Sequence, residues 1–250
     1  MKTILLSSYF SVKKHPNSPQ DSAVVGRMPN GWVASNEFQY ISGWYNSVDE
    51  LSIDAVLFHD NLSDDFVSKY QTEKIKFKKV TVNEYSNNDF RFFCFNKYLS
   101  EIKDTPDVVF HNDASDVLVV KDPSELVQSM PDTDFFCCKD SIKLSDFPYM
   151  KIHDALGWDD SFLFKLNYND WDLINMGVIG GTYGNMVKFY DEFVRVRESI
   201  GKPEFNADMW ILQYLIRSRL QPCKFIQGEP VCSVFKKYQN NRKDVYFIHK

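Results

Sequence analysis

Short apolar runs alternate along the chain with stretches in which apolar residues recur every three or four positions. That order predicts strands interleaved with helices, and so an α/β protein on a largely parallel sheet. Thr3 to Ser7 reads as the first strand, Asp54 to Asp60 as the second and Ile75 to Val82 as the third. Between the first two lie a long polar loop from Val12 to Asn30, with three prolines, and a helical pattern from Asn36 to Val48 that Asn36 is placed to cap. Asp64 to Tyr70 predicts a short helix. Asp89 to Ile102 predicts a longer one, with Phe92, Phe93, Leu99 and Ile102 available to the core. Asp107 to Phe110 and Val117 to Val120 are apolar strand-like runs, and Asp122 with Pro123 opens a further helix. Asp134 to Cys138 is strand-like. Later helices are predicted from about Asn185 to Ile200 and from Asn206 to Leu220. No repeat and no linker breaks the pattern, so residues 1–250 read as one domain.

Composition narrows the function. A hydrophobic fraction of 44% is that of a folded chain, and a net charge of -5 argues against nucleic acid as a partner. Aromatics make up 16%, which supplies core and also flat faces that sugars and bases stack on. No apolar run approaches the roughly 18 residues of a membrane span. The opening residues Met1 to Ser8 lack a long apolar region and a cleavage site, and read as a strand rather than a signal peptide. Peripheral membrane contact stays open. The five cysteines are an odd number without zinc-type spacing, which predicts buried thiols of a reduced protein in the cytoplasm or on the cytoplasmic face of a membrane.

Candidate chemistry centres on Asp113 and Asp116, set between the two apolar runs. Ligands in open α/β sheets bind beyond the carboxyl ends of strands, where two such carboxylates would arrive together. Two close carboxylates repel, and a hard divalent cation such as Mg²⁺ or Mn²⁺ removes the conflict. The plainer alternative is an acidic turn in which Asp113 caps and Asp116 faces water. The final residues, Val245 to Lys250, form an apolar strand ending in His249 and Lys250, which could return to the sheet with a third ligand and a cation. Gly177, Gly180 and Gly181 match neither a P-loop nor a dinucleotide-binding fingerprint, and are read as a close approach of backbone to a sugar. No G-x-S-x-G elbow is present.

The segment Phe110 to Val119, followed by Asp122 and Pro123, resembles the DxD region of GT-A-fold glycosyltransferases. Asn175 to Gly181 is similar to the N-x-G segment that lines the sugar site of many such enzymes. Asn206 to Met209 stands where they often carry a D-Q pair, with Met209 in place of Gln. The terminal His249 looks like the metal-ligand histidine of the retaining branch that includes glycogenin and the lipopolysaccharide galactosyltransferases. The spacing here is D-x-x-D, and Asp116 matches the last acid of the family motif.

The resemblance implies a GT-A (Rossmann-like) fold, a central mixed, mainly parallel sheet flanked by helices. It implies transfer of a sugar from a nucleoside-diphosphate donor, UDP-linked for preference, to a glycan hydroxyl. Asp113, Asp116 and His249 would hold Mn²⁺ or Mg²⁺. Ser8 and Tyr9 would meet the nucleoside, Arg91 and Lys250 the diphosphate, and Gly180 the donor. Asp208 and Asn175 would position donor sugar and acceptor, with Asp208 the base if the reaction inverts. Arg27 and Trp32 are candidates for a lid, and Lys139 to Asn169 for acceptor choice. Two other classes stay in view: a non-catalytic module that binds sugar or nucleotide sugar, and a sugar nucleotidyltransferase. The latter carries a glycine-rich basic segment after its first strand, where this chain reads Ser7 to Ser11.

Overall fold

The computed structural model describes residues 1–13, 24–28, 31–34, 36–147, 171–203, 205–237 and 239–250, with 24–28 and 31–34 described by their backbone. β1 (Thr3–Tyr9) leads to a hairpin of β2 (Val24–Met28) and β3 (Gly31–Ala34), which interrupts the stretch expected to be loop. Arg27 and Trp32 face each other in its register, and their side chains lie outside the described residues. A 3₁₀ turn, Phe38–Tyr40, precedes α1 (Ser42–Glu50). Asn36 therefore does not cap that helix. Its φ is 61°, and its Oδ1 accepts from the Ser63 amide, 3.0 Å away, at the start of α2 (Asp64–Tyr70). β4 (Asp54–His59) lies between these helices, and β5 (Ile75–Lys79) ends three residues before the expected third strand does.

α3 (Asn87–Glu101) starts where the Ser86 hydroxyl accepts from the Asp89 amide. β6 (Val108–Asn112), β7 (Val117–Val119) and α4 (Pro123–Ser129) follow, the last capped by Asp122 with Pro123 in its first turn. β8 (Phe135–Lys143) and β9 (Asp172–Thr182) flank residues 148–170, so most of the segment expected to choose the acceptor lies outside the described residues. α5 (Tyr183–Ile200), α6 (Asp208–Tyr214), a π-helical turn at Leu215–Arg219, β10 (Phe225–Gln227) and β11 (Phe247–His249) complete the described elements.

Seven strands form one sheet in the order β10-β8-β9-β6-β1-β4-β5. Every neighbouring pair is parallel except the two made by β9, which runs against β6 and β8. Both faces are covered, so β4 and β6 are buried along almost their whole length. On one face Phe92 and Phe95 of α3, Phe189 and Phe193 of α5, and Ile211 of α6 pack together. On the other, Trp44 of α1 joins Leu57, Phe110, Phe136 and Phe247.

One predicted run finds its place here, and one expectation is corrected. The apolar run at Val117 does not enter the main sheet; β7 pairs antiparallel with β11 as a separate ribbon. Nor are all the cysteines thiols: Cys138 is bonded to Cys232, 94 residues away, while Cys94, Cys137 and Cys223 are free. Alternation along β8 sends Cys137 into one core and Cys138 into the other, where Cys232 waits. The disulfide removes the ground on which a reducing, cytoplasmic setting was expected. No helix among the described residues is long and apolar enough to cross a membrane.

Candidate active site

β6 is the middle strand of the sheet, and the chain leaves it at Asn112. The Asp113 amide makes one more rung to the Gly177 carbonyl of β9, at 3.0 Å, and the backbone then turns away toward β7. The β7–β11 ribbon sets His249 opposite Val117, and the Lys250 amide donates to the Asp116 carbonyl at 3.0 Å. The chain end is thereby pinned over the acidic turn. Asp113, Asp116 and His249 each bring one donor atom into a group whose atoms all lie within 4.8 Å of one another.

The His249 ring is buried between Phe235, whose centroid is 4.2 Å away, and the backbone of Gly177. A Cβ at Gly177 would collide with that ring, so glycine is required there by the histidine and not by a sugar. Neither ring nitrogen has a hydrogen-bond partner among the described residues. The nearest carboxylate contact, Nε2 to Asp116 Oδ2, is 3.6 Å, beyond hydrogen-bond reach. Burial alone would lower the His249 pKa, but Asp116, then Asp113 and Asp140, outweigh it and raise it. Burial would likewise raise Asp116, and the facing imidazole with the Ser115 hydroxyl reverses the sign, holding the carboxyl below its usual range. Two carboxylates, about 30% exposed, and an imidazole with bare nitrogens are a donor set that fits Mn²⁺ or Mg²⁺.

Arg91 lies on α3 beneath this group. It is buried, and its guanidinium pairs with Asp113 on one side and with Asp208, at 3.1 Å, on the other. Asp208 opens α6 and also accepts from the Met209 amide at 2.7 Å. Burial raises its pKa against the pull of Arg91. Asn175, on β9, donates to Asp140 at 2.9 Å and accepts from the Gly177 amide at 2.7 Å, so its amide is oriented from both ends. Asp113, Asp116, His249, Arg91 and Asp208 thus form one continuous cluster, with Asn175 joined to it through Gly177.

Other candidates fall elsewhere. The Tyr9 ring is 1% exposed, wedged against Tyr40 and Phe66, with its hydroxyl accepting from the Glu37 amide; no base can stack on it. Gly180 is buried in β9, where a Cβ would strike the Phe110 ring, so it makes room for core and not for a donor. Ser8 is half-buried near the carboxyl end of β1, and Lys250 is half-buried beside Asp116.

Three contributors escaped sequence reasoning. Asp140 is a buried carboxylate on β8 whose only sequence signal is an acid directly after a strand-like run. Tyr40 approaches Ser115 and the two aspartates, and its phenol is pushed far up by burial. Arg197 and Asp89 form an enclosed ion pair at 2.6 Å. That arginine also donates to the carbonyls of Gly201, Lys202, Pro203 and Phe205, while Asp89 accepts from the Ala207 amide. The loop that delivers Asp208 is built on this pair.

No family model matches the chain, and no curated protein matches its sequence. Solved structures do match. A crystal structure of an active-site mutant of LgtC, a glycosyltransferase, aligns over 98% of this chain and 86% of that one, with a TM-score of 0.54 and 13% identity. The chain therefore has a GT-A-like α/β fold, its mostly parallel sheet flanked by helices. At that identity the likeness speaks for fold, and function has to be argued from the site.

Proposed function

We propose that residues 1–250 form a single metal-dependent glycosyltransferase domain that moves a sugar from a UDP-linked donor to a glycan hydroxyl, with retention of configuration. The observation that carries this reading is the convergence of Asp113, Asp116 and an unpartnered, buried His249 beyond the middle strand of a GT-A-like sheet. When bound there, Mn²⁺ or Mg²⁺ supplies Lewis-acid charge compensation at the leaving diphosphate.

The chain's own residues supply the rest. Arg91 keeps Asp113 aimed at the site and adds positive charge beside it, and Lys250 adds a second cation. Asn175, held by Asp140, would orient the donor sugar. Asp208 is held by Arg91 and by the Met209 amide, which makes it a positioning group in this reading. In the retaining course the acceptor proton goes to the leaving phosphate and no protein base is needed.

Thermal melts with UDP, GDP, CMP and their sugars, each with and without Mn²⁺, test the reading. A UDP compound is expected to raise the melting temperature only when Mn²⁺ is present. The reading is overturned if no nucleotide shifts the melt in either condition. A shift that survives chelation would sink the metal-dependent part.

A further inference from the structure

His249 belongs to two donor groups. Besides the acidic pair, it stands with Cys138 and Cys232, whose sulfurs and one ring nitrogen all lie within 4.8 Å of one another. All three residues are buried, and the histidine has two nitrogens and no hydrogen bond to either. We propose that reduction of the Cys138–Cys232 bond creates a second metal site, in which two thiolates and His249 bind a thiophilic ion such as Zn²⁺ and draw the histidine from the acidic pair.

The backbone keeps this set assembled without the disulfide. The Gly228 amide bonds to the Cys137 carbonyl at 2.9 Å and the Phe235 amide to the Lys139 carbonyl at 3.2 Å, so the chain around Cys232 is tied to β8 on both sides of Cys138. Ser233 is laced to the last strand, its amide donating to the Phe247 carbonyl and its hydroxyl accepting from the His249 amide, each at 3.0 Å. With 5.3 Å between their Cα atoms, the freed thiols would still face each other and the imidazole. Tetrahedral Zn²⁺ with sulfur and nitrogen ligands sets ligand atoms roughly 3.5–3.8 Å apart, a change that side-chain rotation covers. Three protein ligands leave the fourth position to water. Softness separates the two groups: thiolates select Zn²⁺, whereas the aspartates suit Mg²⁺ or Mn²⁺. The partly exposed Asp113 and Asp116 give an ion a charged way in toward His249.

The chemistry balances with a phosphine as reductant. The phosphine gives two electrons and becomes its oxide, and water supplies that oxygen and the two thiol protons. Zn²⁺ then displaces both protons as the sulfurs become thiolates. Binding at the thiols stands apart from the glycosyltransferase reading; only the competition for His249 rests on it.

The test uses the full chain, phosphine-reduced or left oxidised, titrated with Zn²⁺ against a coloured chelator and with Co²⁺ as an optical probe. The reduced chain is expected to take one Zn²⁺ about a hundredfold more tightly than the oxidised chain, and to give a thiolate-to-cobalt charge-transfer band. Cys138→Ser should lose both signals, and Asp113→Asn with Asp116→Asn should keep both. Equal Zn²⁺ affinity in the two redox states overturns the proposal, as does a band that survives Cys138→Ser and disappears with the aspartates. Should the serine variant not fold, alkylation of the reduced natural chain decides. Zn²⁺ should slow modification of Cys138 and Cys232 about tenfold and leave Cys223 unchanged, and absence of protection overturns the site. Zinc binding without any nucleotide-dependent melt would sink only the transferase reading. A Mn²⁺-dependent nucleotide melt without zinc binding would sink only this one.

Discussion

His111 and His249 are equally buried, each 1% exposed, and differ in every other respect. His111 has both nitrogens bonded. The Met176 carbonyl, 3.0 Å from Nε2, can only accept, so Nε2 carries the proton and Nδ1 accepts from the Tyr190 hydroxyl at 3.0 Å. Burial, with Arg91 adding to it, pushes its pKa down to about 3, and the ring stays neutral among Phe92, Phe95 and Tyr190. His249 has neither nitrogen bonded and two carboxylates in front of it. One ring is finished as structure; the other is left with valences to fill. The same contrast divides the acids. Asp89 is enclosed with Arg197 and fully partnered, whereas Asp113 and Asp116 keep an open side. A buried polar group without a partner costs free energy, and the proposed metal would offset that cost at His249.

The enclosed pair offers the largest effect. Arg197→Met would leave the Asp89 carboxylate without its cation and several carbonyls without a donor, and unfolding in urea should show a loss of about 3–5 kcal/mol or no folded protein. A loss under about 1 kcal/mol would break the claim that this half of the contrast is structural. Next comes the open pair. With Mn²⁺ saturating, a nucleotide at about 100 times its dissociation constant should add about 2.7 kcal/mol to the apparent stability of the natural chain. Asp116→Asn should gain none, while its unliganded stability stays within about 1 kcal/mol of the parent.

A smaller effect separates the histidines by pH. Because the folded pKa of His111 is depressed, its contribution is present above pH 6.5 and is lost as pH falls toward 3, when the unfolded chain takes up a proton that the folded chain refuses. Between pH 7 and 5 the natural chain should lose about 2 kcal/mol from this group. His111→Phe should not, so the gap between the two stability curves should narrow on acidification. A constant gap would mean that the ring is not held neutral. The smallest effect belongs to an exposed pair taken for scale: Lys97→Ala, which removes the 3.9 Å contact with Glu101, should change stability by no more than about 0.5 kcal/mol.

Local pattern was enough for much of the scaffold. The short helix read from Asp64 to Tyr70 spans those same residues, and the start of α4 at Pro123 follows its Asp-Pro signal, because caps and helical period are properties of neighbours in sequence. The residues gathered at the end of β6 were also legible, Asp113 and Asp116 from their spacing, His249 from its place on the last apolar run and Asp208 from a family resemblance. What local pattern could not supply was company. Nothing near Tyr9 in sequence says that Tyr40 and Phe66 will bury it, nothing near Gly177 says that an imidazole from the chain end will lie on its backbone, and Cys138 finds its partner 94 residues away. The apolar run at Val117 reads as a strand because strand propensity is local, but the choice of partner is not, and it pairs with β11 outside the main sheet. Residue type and period decided which elements form and which side chains could do chemistry. Only the packed chain decided which polar groups are satisfied and which are left open, because hydrogen-bond partners and burial are set by segments distant in sequence.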